Sequence, residues 1–217
     1  MTDDIDDWGE AAEARILGAA LARAADLGWT SRLIAAAGRD AGFSVAEAEL
    51  LLPNGGRDLA ALLSRKHDRE ALAALAAVDP SALKIRERIR TAVLARTDAT
   101  MADASATRGW TGFLALPTNS PLGLRRAWES ADALWRWAGD TATDENHYSK
   151  RVLLAEILIS TLAIRLTGGA EAAEVHLDRR IAGVMNFEKF KARIKVGDIA
   201  ATMAGALGRL RYGSARV

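Results

Sequence analysis

The chain has 217 residues, with 29 Lys and Arg against 28 Asp and Glu, a formal charge of +1, and no cysteine. Disulfides and thiolate metal sites are therefore excluded, and three histidines (His67, His147, His176) leave little for metal chemistry. Half of the residues are hydrophobic and 46 of the 217 are alanine, against four prolines; alanine favours helices and is poor in strands, so the composition predicts an all-α protein. The length fits one domain, or a small domain fused to a larger one, with a sizeable core.

Charge is unevenly placed. Residues 187–217 carry a net +5 and the remainder −4, a cationic tail on an anionic body that points to an anionic partner for the tail. The first ten residues, MTDDIDDWGE, have neither the basic n-region and apolar core of a signal peptide nor the Arg-rich, acid-poor composition of a transit peptide. The expected location is the cytoplasm.

In chain order, helix 1 is expected over about Glu10–Leu27, ended by Gly28. Thr30 or Ser31 caps helix 2 (Leu33–Ala41), Gly42-Phe43 turns the chain, and Ser44 caps a short helix 3 (Val45–Leu51) before Pro53-Asn54-Gly55-Gly56. This is a helix-turn-helix layout. With Ile16-Leu17-Gly18-Ala19-Ala20, Gly28-Trp29-Thr30, Leu33-Ile34-Ala35 and Ala41-Gly42-Phe43-Ser44 it resembles the N-terminal half of TetR-type regulators. Helix 3 nevertheless offers Glu47 and Glu49 and no basic residue, whereas DNA readers need Lys, Arg and polar groups for phosphates and base edges. No nucleic-acid partner is expected.

Helices 4 and 5 are expected over about 57–78 and 81–97, the latter with Arg86, Arg88 and Arg90 outward and Ile85, Ile89, Val93 and Leu94 inward. Helix 6 covers about 99–116. Helix 7 (Ser120–Trp137) has Pro121 in its first turn and carries half of the six tryptophans, Trp128, Trp135 and Trp137. Trp128 and Trp135, seven apart, face one way, either as core packing or as the lining of an apolar cavity. Next comes a polar start, Asp140 to Arg151, and then the apolar Val152–Leu166, stopped by Gly168-Gly169. Its apolar part is shorter than the roughly 20 residues of a bilayer span, so it is expected as the central helix of a bundle, with Thr143 or Asp144 as cap. Helix 9 is expected over Glu171–Met185 and helix 10 from Phe187.

The charged start could suggest a metal or acid–base pair. Carboxylate di-iron bundles use Glu-x-x-His, which the sequence lacks, and the side chains of Glu145-x-His147 diverge on a helix. The plainer reading has Asp140 and Asp144 at the helix N-terminus, Lys150 and Arg151 paired to nearby carboxylates, and Ser160 and Thr161 bonded back to helical carbonyls.

In the last segment Val196, Ile199, Met203, Leu207 and Leu210 recur at helical spacing, with Lys195 and Arg209 on the polar side. Such a stripe either packs on protein or lies in the headgroup plane of a membrane.

Trp135, Ala138-Gly139-Asp140-Thr141, Thr143-Asp144, Asn146, Tyr148, Lys150-Arg151, Ser160-Thr161, Leu177, Arg180-Ile181 and Met185-Asn186 together resemble the C-terminal domain of the Coq-nine family, lipid-binding accessory proteins of ubiquinone biosynthesis. The resemblance implies a TetR-like fold without DNA activity: a helix-turn-helix-like region (1–56), a lipid-binding and dimerisation region (57–186) and a basic amphipathic helix (187–217). It implies a non-enzymatic homodimer without cofactor or metal, which holds an isoprenoid quinone precursor or phospholipid and meets a di-iron demethoxyubiquinone hydroxylase at the inner membrane, where the chain sits peripherally. On this reading Trp110, Leu116, Trp128, Trp135, Leu153 and Ile157 line the lipid pocket. Asp144, Asn146, His147, Tyr148 and Arg151 face the partner. The 196–210 stripe with Lys195 and Arg209 binds membrane. The family builds its hydroxylase-facing surface around Phe-Asn-Trp-Tyr, where this chain has Glu145-Asn146-His147-Tyr148; aromatic anchors dominate such surfaces, so the partner must differ or be lost. The alternatives are a ligand-sensing regulator and a small enzyme using the charged turn.

On the membrane reading, deleting residues 196–217 is expected to leave a folded protein that no longer co-sediments with anionic liposomes; undiminished sedimentation would count against it.

Overall fold

Alternating Gly stops and Ser, Thr or Asp starts divide the chain into helices, and the computed structural model follows that punctuation closely at the N-terminal end. It describes residues 2–141 and 145–193, with side chains from Trp8 to Thr141 and from His147 to Val184. Among the described residues there are eight α-helices and no strand: α1 (Thr2–Leu27), α2 (Ser31–Asp40), α3 (Val45–Leu51), α4 (Gly56–Leu75), α5 (Ile85–Ala102), α6 (Ala104–Ala115), α7 (Ser120–Trp137) and α8 (Glu145–Arg193). The all-α expectation holds. Two compact units are present, Met1–Leu177 and Asp178–Val217.

In the first unit α1, α2 and α3 form the long–short–short arrangement expected of the helix-turn-helix layout. Gly28 ends α1 at φ +61° and Gly42 turns the α2–α3 corner at φ +80°, backbone angles that a side chain disfavours. The cap of α3 is a reciprocal box: the Ser44 N–H donates to Glu47 Oε2 at 2.8 Å, and the Glu47 N–H donates to Ser44 Oγ at 3.3 Å. A Cβ on Gly38 would stand 2.8 Å from Ala48 Cβ, so α2 and α3 approach as closely as two backbones allow. Ile16, Leu17 and Ala20 of α1, Leu33 and Ala37 of α2, Leu59 and Leu63 of α4, and Trp110 of α6 share one buried core. The Trp110 indole N–H donates to the Ala60 carbonyl at 3.0 Å, which satisfies the one polar atom of a large buried ring.

Several boundaries differ from the sequence reading. The helix expected over 57–78 stops at Leu75, and Asp79 with Pro80 makes a 3-10 turn, the Asp79 carboxylate accepting from the Ser81 N–H at 2.8 Å. α5 runs past Thr97 to Ala102, and α6 therefore starts at Ala104, after Asp103 leaves helical geometry. Ile85, expected inward, is exposed. Arg88, expected outward, is turned in, donating to the carbonyls of Leu83 at 2.9 Å and Ala138 at 2.8 Å. No break separates helices 9 and 10 near residue 186, because the helix continues to Arg193; the interruption in α8 is Gly169, at φ +84° and ψ −171°. That fits the expected Gly168-Gly169 stop.

α8 is not enclosed on all sides. Arg151, Leu154, Ile157, Leu158 and Thr161 form a buried stripe, while Tyr148, Val152 and Ile159 are exposed. The expectation of a fully surrounded central helix is corrected: its apolar character serves two faces, only one of which is covered among the described residues. By length and composition His147–Val184 is long and apolar enough to cross a membrane, with 28 % of its most apolar stretch buried.

Charge holds the α7–α8 junction. Arg151 is 1 % exposed. Its Nε donates to Asp132 Oδ1 at 2.6 Å, and its Nη1 donates to Asp140 Oδ2 at 3.0 Å and to the His147 carbonyl at 3.1 Å. Lys150 Nζ donates to Asp140 Oδ1 at 2.6 Å and lies 5.4 Å from the centre of the Trp135 ring, whose indole N–H donates to the Lys150 carbonyl at 3.0 Å. Burial opposes the charge on Asp140, but the hydrogen bonds from Lys150 and Arg151 outweigh it and hold the carboxyl below the usual carboxylate range. The pairing of Lys150 and Arg151 to nearby carboxylates is thus as expected.

A second buried polar group lies between α4, α5 and α6. His67 is fully buried and stands edge-on to Trp110 at 5.6 Å. Its Nε2 is 3.0 Å from Asp103 Oδ2, which also accepts from Lys66 Nζ at 2.7 Å. An ionised Asp103 can only accept, so Nε2 carries the proton and the buried Nδ1 has no partner. Burial, and then the neighbouring Arg96 cation, push the imidazole down to about 3, against the pull of Asp103.

Two outcomes are expected. Asp140→Asn removes one counter-charge from a buried guanidinium and should cost about 2–4 kcal/mol in urea unfolding; an unchanged midpoint would show the clamp to be dispensable. His67 stays neutral in the native state and takes up a proton in the unfolded chain below its ordinary 6.5. Its contribution is complete above that value and is lost as the pH falls towards 3, by about 2 kcal/mol at pH 5. His67→Gln should therefore narrow the gap between unfolding midpoints at pH 7.5 and pH 5, and an equal gap in both proteins would refute the assignment.

Candidate functional site

Helices α4 to α8 diverge around a cavity of about 520 Å³, within the 300–1,000 Å³ of ordinary small-molecule sites. Trp110, Thr111 and Leu114 from α6, Gly123, Leu124 and Ala127 from α7, and Leu158, Ile159, Leu162 and Leu166 from α8 supply most of its wall. Leu124 and Ile159 are exposed at 63 % and 46 %, so the mouth is apolar as well as the interior. Gly123 lets α7 close on α6: a Cβ there would lie 3.3 Å from Leu114 Cβ.

Six polar residues, all buried, also border the cavity: Ser64, Arg96, Thr97, Thr100, Arg126 and Ser130. Asp68 Oδ1 accepts from Arg96 Nε and from Ser130 Oγ, each at 2.6 Å. Arg96 Nη1 donates to the Thr100 hydroxyl, whereas Nη2 finds the Ser64 carbonyl and hydroxyl only at 3.5 Å, beyond good hydrogen-bond length. Arg126 Nη2 donates to Glu129 Oε1 at 2.7 Å, while its buried Nε–H has no acceptor. Desolvation by burial pulls the Arg126 guanidinium below its ordinary range.

Of the residues expected to line a pocket, Trp110 lines this one. Ile157 is buried on the packed stripe of α8, one position round from the wall residue Leu158, and Leu116 is half exposed beyond the end of α6. Leu153, Trp128 and Trp135 do not reach the cavity either; Trp135 belongs to the clamp, and Trp128 stacks on Tyr148 with ring centres 6.0 Å apart. The sequence did hold a signal for the α8 wall, since Ile159, Leu162 and Leu166 recur at steps of three and four. No pattern in the sequence announced this buried polar set, whose members come from α4, α5 and α7.

Of the expected partner-facing residues, Tyr148 is exposed at 64 % and His147 packs edge-on against it at 5.2 Å. With Trp128 they form an aromatic cluster at the surface. Arg151 lies inside and is corrected from contact residue to internal clamp. Asp144, the side chain of Asn146 and the whole membrane set (Lys195, Val196, Ile199, Met203, Leu207, Arg209 and Leu210) lie outside the described residues. Ser160 bonds back to the Ile157 carbonyl at 3.2 Å as expected and meets His176 Nε2 at 3.0 Å, but the buried Thr161 hydroxyl has no partner. Among the described residues no three His, Asp or Glu side chains converge as a metal set.

Residues 120–188 match the COQ9 family model. Over 196 residues, 83 % of this chain, the sequence is 29 % identical to the ubiquinone biosynthesis protein COQ9, mitochondrial, of Rattus norvegicus and 28 % identical to that of Homo sapiens, covering 61 % and 60 % of those proteins. The COQ9-B protein of Xenopus laevis is 28 % identical over 190 residues, 81 % of this chain and 63 % of that one. The chain thus spans about three fifths of the length of the curated relatives it matches. The segment that matches the COQ9 family model, 120–188, holds the α7–α8 clamp and much of the cavity wall, and the likeness to COQ9 proteins extends over most of the chain.

Proposed function

We propose that this chain is an accessory protein of ubiquinone biosynthesis, without chemistry of its own, that holds a long-chain lipid in the α4–α8 cavity. One observation carries the reading: the part of the chain that matches the family model supplies the α7 and α8 walls of an apolar cavity with an apolar mouth. An isoprenoid quinone precursor or a phospholipid chain suits that lining. The relatives' printed names supply the pathway.

The destination of the lipid is a di-iron demethoxyubiquinone hydroxylase at the membrane. Tyr148, His147 and Trp128 are the surface aromatics that support a protein contact. The exposed Val152, Ile159 and Val175 support pairing with a second copy of the chain. The basic amphipathic segment 195–210 supports peripheral attachment to an anionic inner membrane.

The helix-turn-helix layout of α2 and α3 favours one rival, a ligand-sensing regulator. Its α3 face is Glu47, Glu49 and an exposed Leu50, a surface that phosphate repels.

Organic extraction of the purified chain followed by mass spectrometry tests the proposal. A stoichiometric isoprenoid or phospholipid is expected, and Ala127→Trp, which fills the cavity from α7, should lower its yield several-fold. A lipid-free wild-type protein that also fails to take up added lipid would overturn it.

A further inference from the structure

Arg126 borders two hollows. Besides the α4–α8 cavity it lines a groove of about 650 Å³ formed by α1, α3, α4 and the first turns of α7, and the two linings share no other residue. Four arginines line this groove: Arg57 and Arg65 from α4, Arg125 and Arg126 from α7. Their counter-charges are few. Arg125 Nε and Arg126 Nη2 donate to one and the same oxygen, Glu129 Oε1, at 3.0 and 2.7 Å. Arg65 meets the Glu13 carboxylate only at 3.9 Å. Arg57 is exposed, and its guanidinium pairs with nothing among the described residues. The neighbouring Asp58 carboxylate is spent on Asn54, accepting from its backbone N–H at 2.7 Å and from its side-chain amide at 3.2 Å. Two carboxylates, Glu13 and Glu129, thus serve three guanidiniums, and Arg57 has none. Desolvation first, and then the Arg125 and Arg65 cations, hold the Arg126 guanidinium below its ordinary range against the pull of Glu129. Like charges gathered in a concave site are relieved by an anion laid between them.

We propose that this groove docks an acidic peptide segment of a partner protein, one in which Asp or Glu residues are interrupted by aliphatic side chains. The groove needs nothing from the lipid-binding reading, since an empty α4–α8 cavity would leave it intact.

Two features of the lining choose a peptide over other anions. Arg57, Ala61 and Arg65 recur at four-residue steps along α4, so the cations at the two ends stand about 12 Å apart along the helix axis. One phosphate or one carboxylate cannot meet both, and a nucleotide gathers its charge at one end. A peptide spreads carboxylates along its length, and each guanidinium fork can hold one of them bidentately. The second feature is an apolar lip: Leu50 is 81 % exposed, and Leu51, Pro53 and Leu122 line the groove with it. A bare polyphosphate would leave that lip unused, whereas aliphatic side chains between the carboxylates would cover it. Glu47 and Glu49, which make the α3 face repel anions, are not part of the lining.

The test titrates the unaltered full-length chain with a short fluorescent peptide of repeated Asp-Asp-Leu, read by anisotropy at low salt. Matched peptides of Ser-Ser-Leu and Asp-Asp-Ser remove the charge and the apolar side chains in turn, and inorganic tripolyphosphate serves as competitor. The Asp-Asp-Leu peptide is expected to bind about tenfold or more tighter than either matched peptide, as one or two charge-assisted hydrogen bonds would give. Arg57→Glu combined with Arg65→Glu should abolish that preference. Arg32→Glu combined with Arg86→Glu makes the same change of net charge at exposed positions off the groove and should leave the preference unchanged. The three-peptide comparison needs no variant, so a poorly folding variant does not shelter the idea. Equal binding of the acidic and neutral peptides, or no binding of any of them, would overturn the docking groove. Undiminished binding to the Arg57→Glu/Arg65→Glu protein would overturn it in favour of the cationic segment 187–217. Tighter binding of tripolyphosphate than of the peptide would overturn it in favour of a phosphate site.

Discussion

A guanidinium sealed from water between two helices governs the C-terminal half of this protein. Arg151 cannot be left unpaired at that depth, because an uncompensated buried charge costs far more than a surface ion pair returns. Two carboxylates and a carbonyl therefore converge on it, one carboxylate from α7 and one from the turn beyond, and their positions fix where α8 begins. The same turn carries Gly139 at φ +88° and the Ala138 carbonyl that accepts a hydrogen bond from Arg88. Within the charged run, Asp140, Lys150 and Arg151 make a joint.

The joint matters because the cavity is made of what it joins. α7 and α8 contribute facing walls, and neither alone encloses a volume. Their separation depends on a polar junction at one end, while small residues such as Gly123 allow α6 and α7 to approach beside it. Apolar helices free to pack would close on one another; an opening persists where the frame around it is held by directional contacts.

Legibility from sequence followed the range of the interactions. Caps and stops are local, so Gly28, Ser44, Gly42 and the interruption at Gly169 were readable, and α3 emerged with the bounds expected. Periodicity located the apolar faces of α8 but not which face would be covered, since partners on other helices decide that. Arg88 shows the limit well: its spacing puts it among outward-facing arginines, yet a carbonyl fifty residues away draws it in. Trp128 and Trp135 were paired by their seven-residue spacing, but one serves the surface aromatic cluster and the other the clamp. The buried polar set beside the cavity was invisible, because Ser64, Arg96 and Ser130 are meaningless singly and come together only when three helices meet.

The box that starts α3 has a wider meaning. Glu47 closes the cap through its own carboxylate, holding the Ser44 N–H and hydroxyl together. The group that makes this face hostile to a polyanion is therefore the group that winds its first turn. Recharging the face for nucleic acid would loosen the element that must be presented, so the charge of this face and the start of its helix cannot be changed independently.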